Sequence, residues 1–171
     1  MYIENNITKN QMSFWLGSMF WIIALMIIIG GLTRLTDSGL SITRWDLFVG
    51  IIPPTSIAKW NEVFDLYKQI PEFKLQNSSM TLEQFKIIYW WEYAHRLLGR
   101  IIGIFYLIPL VYFTFRKSIQ KNSLVSLYLI LLLIIFQGFV GWYMVQSGLT
   151  ENTDVSQYRL SLHLTLAFII F

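Results

Sequence analysis

Long uncharged runs constrain the fold of this chain more than any other feature. Phe14–Leu32 is nineteen residues without a charged side chain, and Ser123–Gln146 is twenty-four. A helix of about 20 apolar residues crosses the roughly 30 Å hydrocarbon core of a bilayer. Ile101–Phe115 has only fifteen residues, but it reaches full length when it is extended back to Trp90. We therefore predict transmembrane helices at residues 14–32, 90–115 and 123–146.

The last apolar run, Leu160–Phe171, is shorter and stops with the chain. Its twelve residues would rise only about 18 Å as a helix. We interpret it as a fourth span, over residues 159–171, cut within the helix, and we expect residues 1–171 to be the N-terminal part of a longer protein. The predicted fold is an all-α membrane protein: a bundle of four transmembrane helices with a long, partly structured outer loop at about 33–89.

Composition agrees with a membrane protein and excludes several functions. The chain is 55% hydrophobic and 13% charged, whereas soluble domains are about 25% charged. The basic residues behind the net charge of +3 are scattered, which gives no support to nucleic-acid binding. The chain has no cysteine, so disulfides and thiolate ligands are excluded.

Basic residues also predict the orientation. Arg116, Lys117 and Lys121 fall in the short loop between the second and third predicted spans. Short loops rich in Lys and Arg stay in the cytoplasm. The N-terminus is therefore predicted to be cytoplasmic, and the loops at 33–89 and 147–158 are predicted to face the outer side.

The long outer loop carries signals for helices. Thr55–Tyr67 follows a proline pair and has the pattern of a short amphipathic helix. Thr81 is followed three residues later by Gln84, which is a helix-start signature. We expect the helix that begins there to continue into the second span.

A polar stripe of ionisable and small residues runs along one side of the second predicted span. On a helix with about 100° per residue, its members fall within about 140° of arc. They are Glu92, His95, Arg96, Gly99, Arg100 and Gly103. Glu92 and Arg96 stand four residues apart, so an ordinary ion pair is one interpretation. Ionisable groups at membrane depth are costly and mark functional sites, so a ligand site is the other.

The two histidines of the chain favour a ligand site. His95 and His163 both lie near the outer ends of predicted spans. Helix bundles bind cofactors between facing helices, and two imidazoles suit the axial positions of a haem iron. A di-iron carboxylate site would need the Glu-x-x-His motif twice with two further glutamates, and a zinc protease would need His-Glu-x-x-His. The chain offers neither set.

Arginines at the same level are suited to the propionates of a haem. Arg96, Arg100 and Arg159 lie near the two histidines in the predicted topology, and Arg pairs bidentately with carboxylates. Arg34 closes the first span, where an interfacial anchor competes with a propionate contact. The small and polar residues of the third span, Gln137-Gly138 and Gly141-Trp142, are interpreted as close helix packing.

These motifs resemble the N-terminal half of haem A synthases of the alphaproteobacterial and mitochondrial type. The similarity covers nearly the whole chain in order. The matching segments are Gly30–Thr36 with Ser38–Ser41, Pro53–Pro54, Trp60–Lys74, Trp90–Arg100, Gln137–Val145, and Asp154–Leu160 with His163.

The resemblance implies an eight-span protein of the bacterial inner membrane, made of two similar four-helix bundles. That family oxidises the C8 methyl group of haem O to the formyl group of haem A for terminal oxidases. Carried over, His95 and His163 face the substrate haem O, Glu92 is catalytic, and a haem b belongs to the second half. This half alone is expected to be inactive.

The resemblance also implies partners, and two alternative functions stay open beside it. Beyond haem O and the lipid bilayer, a haem O synthase and an electron donor are expected, and a homo-oligomer stays open. The alternative function is a membrane cytochrome b that holds a bis-histidine haem and passes electrons without catalysis. A scaffold half that needs a partner subunit is a third interpretation.

Overall fold

The computed structural model of the chain describes residues 6–44, 50–150 and 152–171. Within these residues all regular secondary structure is helical, which confirms the predicted all-α class. The six helices are α1 (Asn6–Leu35), α2 (Ile57–Tyr67), α3 (Pro71–Leu75), α4 (Leu82–Phe115), α5 (Lys121–Thr150) and α6 (Gln157–Ile170).

Three of these helices are long and apolar enough to cross a membrane: residues 8–35 of α1, all of α4 and all of α5. Each of the first three predicted spans lies within one of them. Helix α4 begins at Leu82, eight residues before residue 90, and α1 continues to Leu35, so both helices are longer than the spans predicted within them. Helix α6 has 14 residues, so the span at 159–171 stays a prediction.

Helix α4 begins and continues for identifiable local reasons. At its start, the Thr81 N–H donates to Gln84 Oε1 (2.9 Å), and the Gln84 N–H donates to Thr81 Oγ1 (3.4 Å). This capping box confirms the predicted helix start. Further along, Pro109 has no N–H and frees the carbonyl of Phe105, four residues earlier. Trp15 Nε1 on α1 donates to that carbonyl at 3.1 Å, so the apolar interior holds no unpaired carbonyl there.

Each of the four longer helices packs against the next one along the chain, and the last packs against the first. Helix α1 packs on α4, α4 on α5, α5 on α6, and α6 on α1. Buried apolar side chains fill the space between α1, α4 and α5, among them Trp15, Tyr106 and Leu110. Tyr106 Oη also donates to the Leu127 carbonyl at 2.9 Å, which ties α4 to α5.

The first loop, between α1 and α4, is folded against the helices. Ser56 caps α2, and Phe64 and Tyr67 on α2 are buried against Phe85 at the start of α4. The predicted amphipathic helix at Thr55–Tyr67 is therefore confirmed. Helix α3 packs against α5 and lacks a sequence signal strong enough to predict it. The loop thus forms a cap over one end of α4 and α5.

Candidate functional site

Glu92 is the buried centre of the contact between α4 and the first loop. Its side chain is 2% exposed. Oε2 accepts from Ser41 Oγ at 2.6 Å and from the Ile42 N–H at 2.7 Å, and Oε1 accepts from Arg96 at 2.6 Å. Arg96 donates further to the carbonyls of Ile42 (2.9 Å) and Arg44 (3.3 Å). The predicted Glu92–Arg96 ion pair is confirmed, and both partners bind the loop segment at residues 41–44.

His95, one turn further along α4, packs directly against α1. A Cβ added to Gly30 would lie 3.3 Å from His95 Nε2, so a larger residue there would make a tight contact with the ring. The stripe below His95 is only partly open, since a Cβ on Gly99 would meet Met26 of α1 at 3.4 Å. A Cβ on Gly103 would meet nothing within 4 Å. The two glycines of the stripe therefore differ: Gly99 faces α1, and Gly103 has open space beside it.

His163 packs against α5 in the same manner. A Cβ added to Gly141 would lie 3.0 Å from His163 Cε1. One turn away on α5, Gln137 Nε2 donates to the His163 carbonyl at 2.9 Å and lies 3.4 Å from His163 Nε2. Within the described residues, His163 Nδ1 and Gln137 Oε1 are both buried without a hydrogen-bond partner.

The two histidines are close enough to interact electrostatically, although each packs on a different helix. Both rings are partly buried. The structure therefore brings His95 and His163 into one region of the molecule, with Glu92 about one helical turn from His95. It does not place either ring in contact with the Glu92 carboxylate, whose oxygens face the loop.

The four predicted propionate-binding arginines all lie within the described residues. Arg96 binds Glu92, as described above. Arg159 donates to the Tyr143 carbonyl at 2.8 Å, and its guanidinium lies 3.8 Å from the centre of the Tyr143 ring. Arg34 pairs with Asp154 (2.8 Å) and with Asp37 (3.1 Å). Arg100 is partly buried on α4, four residues beyond Arg96.

The donor set fits a haem better than a free metal ion. Among the described residues, no group of three or more His, Cys, Asp or Glu side chains is arranged to hold a metal ion. A haem iron needs only axial ligands from the protein. Two imidazoles packed on glycines, one with a buried and unpartnered ring nitrogen, meet that need.

A second buried carboxylate lies in the first loop. Glu72 on α3 is 3% exposed, and its Oε1 accepts from Tyr67 (3.2 Å) and from Asn77 (3.3 Å). Asn77 Nδ2 also donates to Tyr67 Oη at 2.8 Å. Burial, with a further contribution from the negative charge of Glu92, raises the pKa of Glu72 to about 7. Burial likewise raises the pKa of Tyr67 above its usual range.

Sequence reasoning missed several of these residues. Gln137 carries a signal, because an amide in an apolar span needs a partner, but it was interpreted as packing. Gly30 and Gly141 were visible as small residues, without any indication that each faces a histidine. Ser41 and Ile42 gave no signal, since they meet Glu92 from about fifty residues away in the sequence.

Fold and site together define a helical, multi-pass membrane protein with two histidines near a loop that is hydrogen-bonded to the Glu92 carboxylate. The chain matches the COX15-CtaA family, described as cytochrome oxidase assembly proteins, over residues 13–171, and it belongs to that family.

Curated relatives agree with this membership. The chain is 52% identical to the haem A synthase of Pelagibacter ubique (strain HTCC1062), over 99% of this chain and 51% of that protein. It is 51% identical to the haem A synthase of Bradyrhizobium diazoefficiens, over 92% of this chain and 44% of that protein. It is 49% identical to the haem A synthase of Rhizobium etli, over 98% of this chain and 46% of that protein. The chain thus spans about half the length of these relatives, and no solved structure matches it.

Proposed function

We propose that this chain carries the substrate-haem site of a haem A synthase, the enzyme that oxidises the C8 methyl group of haem O to a formyl group. Family membership and the names of the relatives support this activity. The observation that carries the proposal is the packing of His95 and His163 on Gly30 and Gly141. Because each glycine has no side chain, the histidine ring of a neighbouring helix lies against its backbone.

The proposed architecture is a four-helix membrane bundle formed by α1, α4, α5 and α6, with α6 as the fourth span at 159–171. The packing of these helices in sequence supports it. We propose that residues 1–171 are the N-terminal half of an eight-span protein. The haem b implied by the resemblance would belong to a second, similar bundle, for which the greater length of the relatives leaves room.

The proposed location is the bacterial inner membrane, with the N-terminus in the cytoplasm. Arg116 and Lys117 after the end of α4, with Lys121 at the start of α5, support this orientation. The first loop and the histidine pair would then face the outer side. The proposed partners are a haem O synthase, which would supply the substrate, and an electron donor, and a homo-oligomer is compatible with the arrangement.

In this proposal, His95 and His163 hold the iron of haem O between α4 and α6. The bound haem supplies the reacting methyl group and the iron centre. Arg100 and Arg159 would meet the propionates. Arg34 would do so after exchanging its exposed ion pair with Asp154, which costs little.

Arg96 would act mainly by keeping Glu92 in place, with propionate binding as a second role. Glu92 is the proposed catalytic residue, as a group that takes or returns a proton at the reacting edge of the haem. Its hydrogen bond to Ser41 holds the carboxylate against the loop. One of its three contacts must give way when the substrate binds.

A second candidate is a membrane cytochrome b that holds a bis-histidine haem and only transfers electrons. One observation favours it: both oxygens of Glu92 are occupied by structural contacts, so the residue has a role without any chemistry. Conversion of haem O distinguishes the two candidates, because a cytochrome returns the haem unchanged.

The test is chromatographic detection of haem A from membranes that contain the full gene product and haem O. We expect wild type and Glu83→Gln to produce haem A, since the Glu83 side chain is 78% exposed. We expect Glu92→Gln to lose about a hundredfold or more in rate. Ser41→Ala, which removes one contact to Glu92, should lose far less.

Two results would count against the proposal. A wild-type protein that binds haem O reversibly and never converts it would favour the cytochrome. Equal losses in Glu92→Gln and Ser41→Ala would show that Glu92 acts only by holding the loop.

A further inference from the structure

We propose that Gln137 is a positioning residue that orients His163 for the iron of the substrate haem. This inference rests on the proposed function and extends it from the ligand to the residue behind the ligand. It starts from α5, which the family resemblance leaves without a role at the site.

Helix α5 meets His163 through two residues on one face. Gln137 and Gly141 are four positions apart, so they lie one turn from each other on the same side of the helix. Gln137 Nε2 holds the backbone of α6 by its 2.9 Å hydrogen bond to the His163 carbonyl and lies 3.4 Å from the imidazole. The His163 ring lies against Gly141, where an added Cβ would be 3.0 Å from the ring atom Cε1. Backbone and ring of His163 are therefore both placed by α5.

The cost of an amide in this position indicates a specific role. Polar groups inside an apolar helix bundle cost free energy unless they are hydrogen-bonded. Gln137 satisfies its N–H group on α6, yet its Oε1 is buried without a partner among the described residues.

The unpartnered atoms of the two side chains are complementary. His163 Nδ1 is the other buried polar atom of this contact without a partner. An imidazole that binds a metal through one nitrogen carries a proton on the other, and that proton needs an acceptor. The Gln137 carboxamide lies beside the ring, with its Nε2 3.4 Å from His163 Nε2, and rotation of the amide would offer its unpartnered oxygen to the imidazole as an acceptor.

The test measures binding of ferric haem to the full gene product in detergent, by absorbance titration and by low-temperature electron paramagnetic resonance. Gln137→Met keeps the length of the side chain and removes both hydrogen-bonding groups. We expect it to weaken haem binding roughly tenfold or more and to shift the low-spin signal, as for other residues behind a metal ligand. Gln146→Met, nine residues further along α5, is the matched control and should stay within about twofold of wild type.

Gln137→Glu is the second variant, and it keeps an acceptor oxygen beside the ring. It should bind haem more tightly than Gln137→Met, and the reverse order contradicts the inference. His163→Ala separates this inference from the proposed function. If His163→Ala abolishes the low-spin signal of the added haem, leaving that of the haem b proposed for the second half, and Gln137→Met retains wild-type affinity and spectrum, only the positioning role is wrong. If His163→Ala also behaves as wild type, the ligand assignment fails with it.

Discussion

Replacing Glu92 by glutamine should destabilise the protein strongly, independently of any effect on catalysis. The substitution removes the charge that Arg96 faces at 2.6 Å and puts an N–H₂ group where one oxygen accepts hydrogen bonds. Hydrogen bonds to a charged group contribute roughly 1.5–3 kcal/mol each, and an uncompensated buried charge costs more. Glutamine keeps one oxygen, so we expect the free energy of unfolding to fall by about 2–4 kcal/mol.

The assay is denaturant unfolding of the detergent-solubilised protein, combined with limited proteolysis of the first loop. The loop should become more sensitive to protease, because Ser41 and Ile42 lose their partner on α4. Glu83→Gln is the matched control on the same helix: its ion pair with Lys86 leaves Glu83 78% exposed, so it should change stability by less than about 1 kcal/mol. Equal stability changes in the two variants would refute the reasoning that Glu92 anchors the loop.

Three further predictions concern other parts of the fold. The pKa of Glu72 is about 7 in the folded protein against 4.5 ordinarily, so the folded state binds its proton more tightly. The free energy of unfolding should then fall by about 3 kcal/mol as pH rises from about 4.5 to 7, and Glu72→Gln should flatten that slope in unfolding curves at stepped pH. Trp15→Phe should lower the free energy of unfolding by about 1 kcal/mol, because it leaves the Phe105 carbonyl without a hydrogen-bond donor. In a Pro109→Ala background the backbone N–H of residue 109 can serve that carbonyl, so a double-mutant cycle should show a smaller loss. Gly148→Ala places a Cβ 2.6 Å from Leu40 Cδ1, so it should lower the free energy of unfolding by about 1–3 kcal/mol and lower the melting temperature with it. In a Leu40→Ala background the same substitution should lower the melting temperature by less.

The helices could be predicted from the sequence because their signals are local. Uncharged runs of membrane length indicated α1 and α5. A shorter run extended back to Trp90 indicated α4, and the Thr81–Gln84 capping box marked its start. The Glu92–Arg96 pair followed from a spacing of four residues on one helix. Helix α3 escaped prediction because five residues carry too little periodicity.

The contacts between helices could not be predicted in the same way. Helical periodicity tells which residues share a face, but not which residue of another helix they meet. Gly30, Gly141 and Gln137 were therefore recognisable as small or polar residues without a partner. The partners of Glu92 in the first loop depend on how 46 residues between α1 and α4 fold back, which no local pattern records.

The most direct test of the central claim is the electron paramagnetic resonance spectrum of ferric haem bound to the full gene product. If His95 and His163 both hold the substrate haem, reconstitution with haem O should give a bis-histidine low-spin signal that His95→Ala and His163→Ala each convert to high spin. A low-spin signal from this haem that persists in both variants would contradict the account.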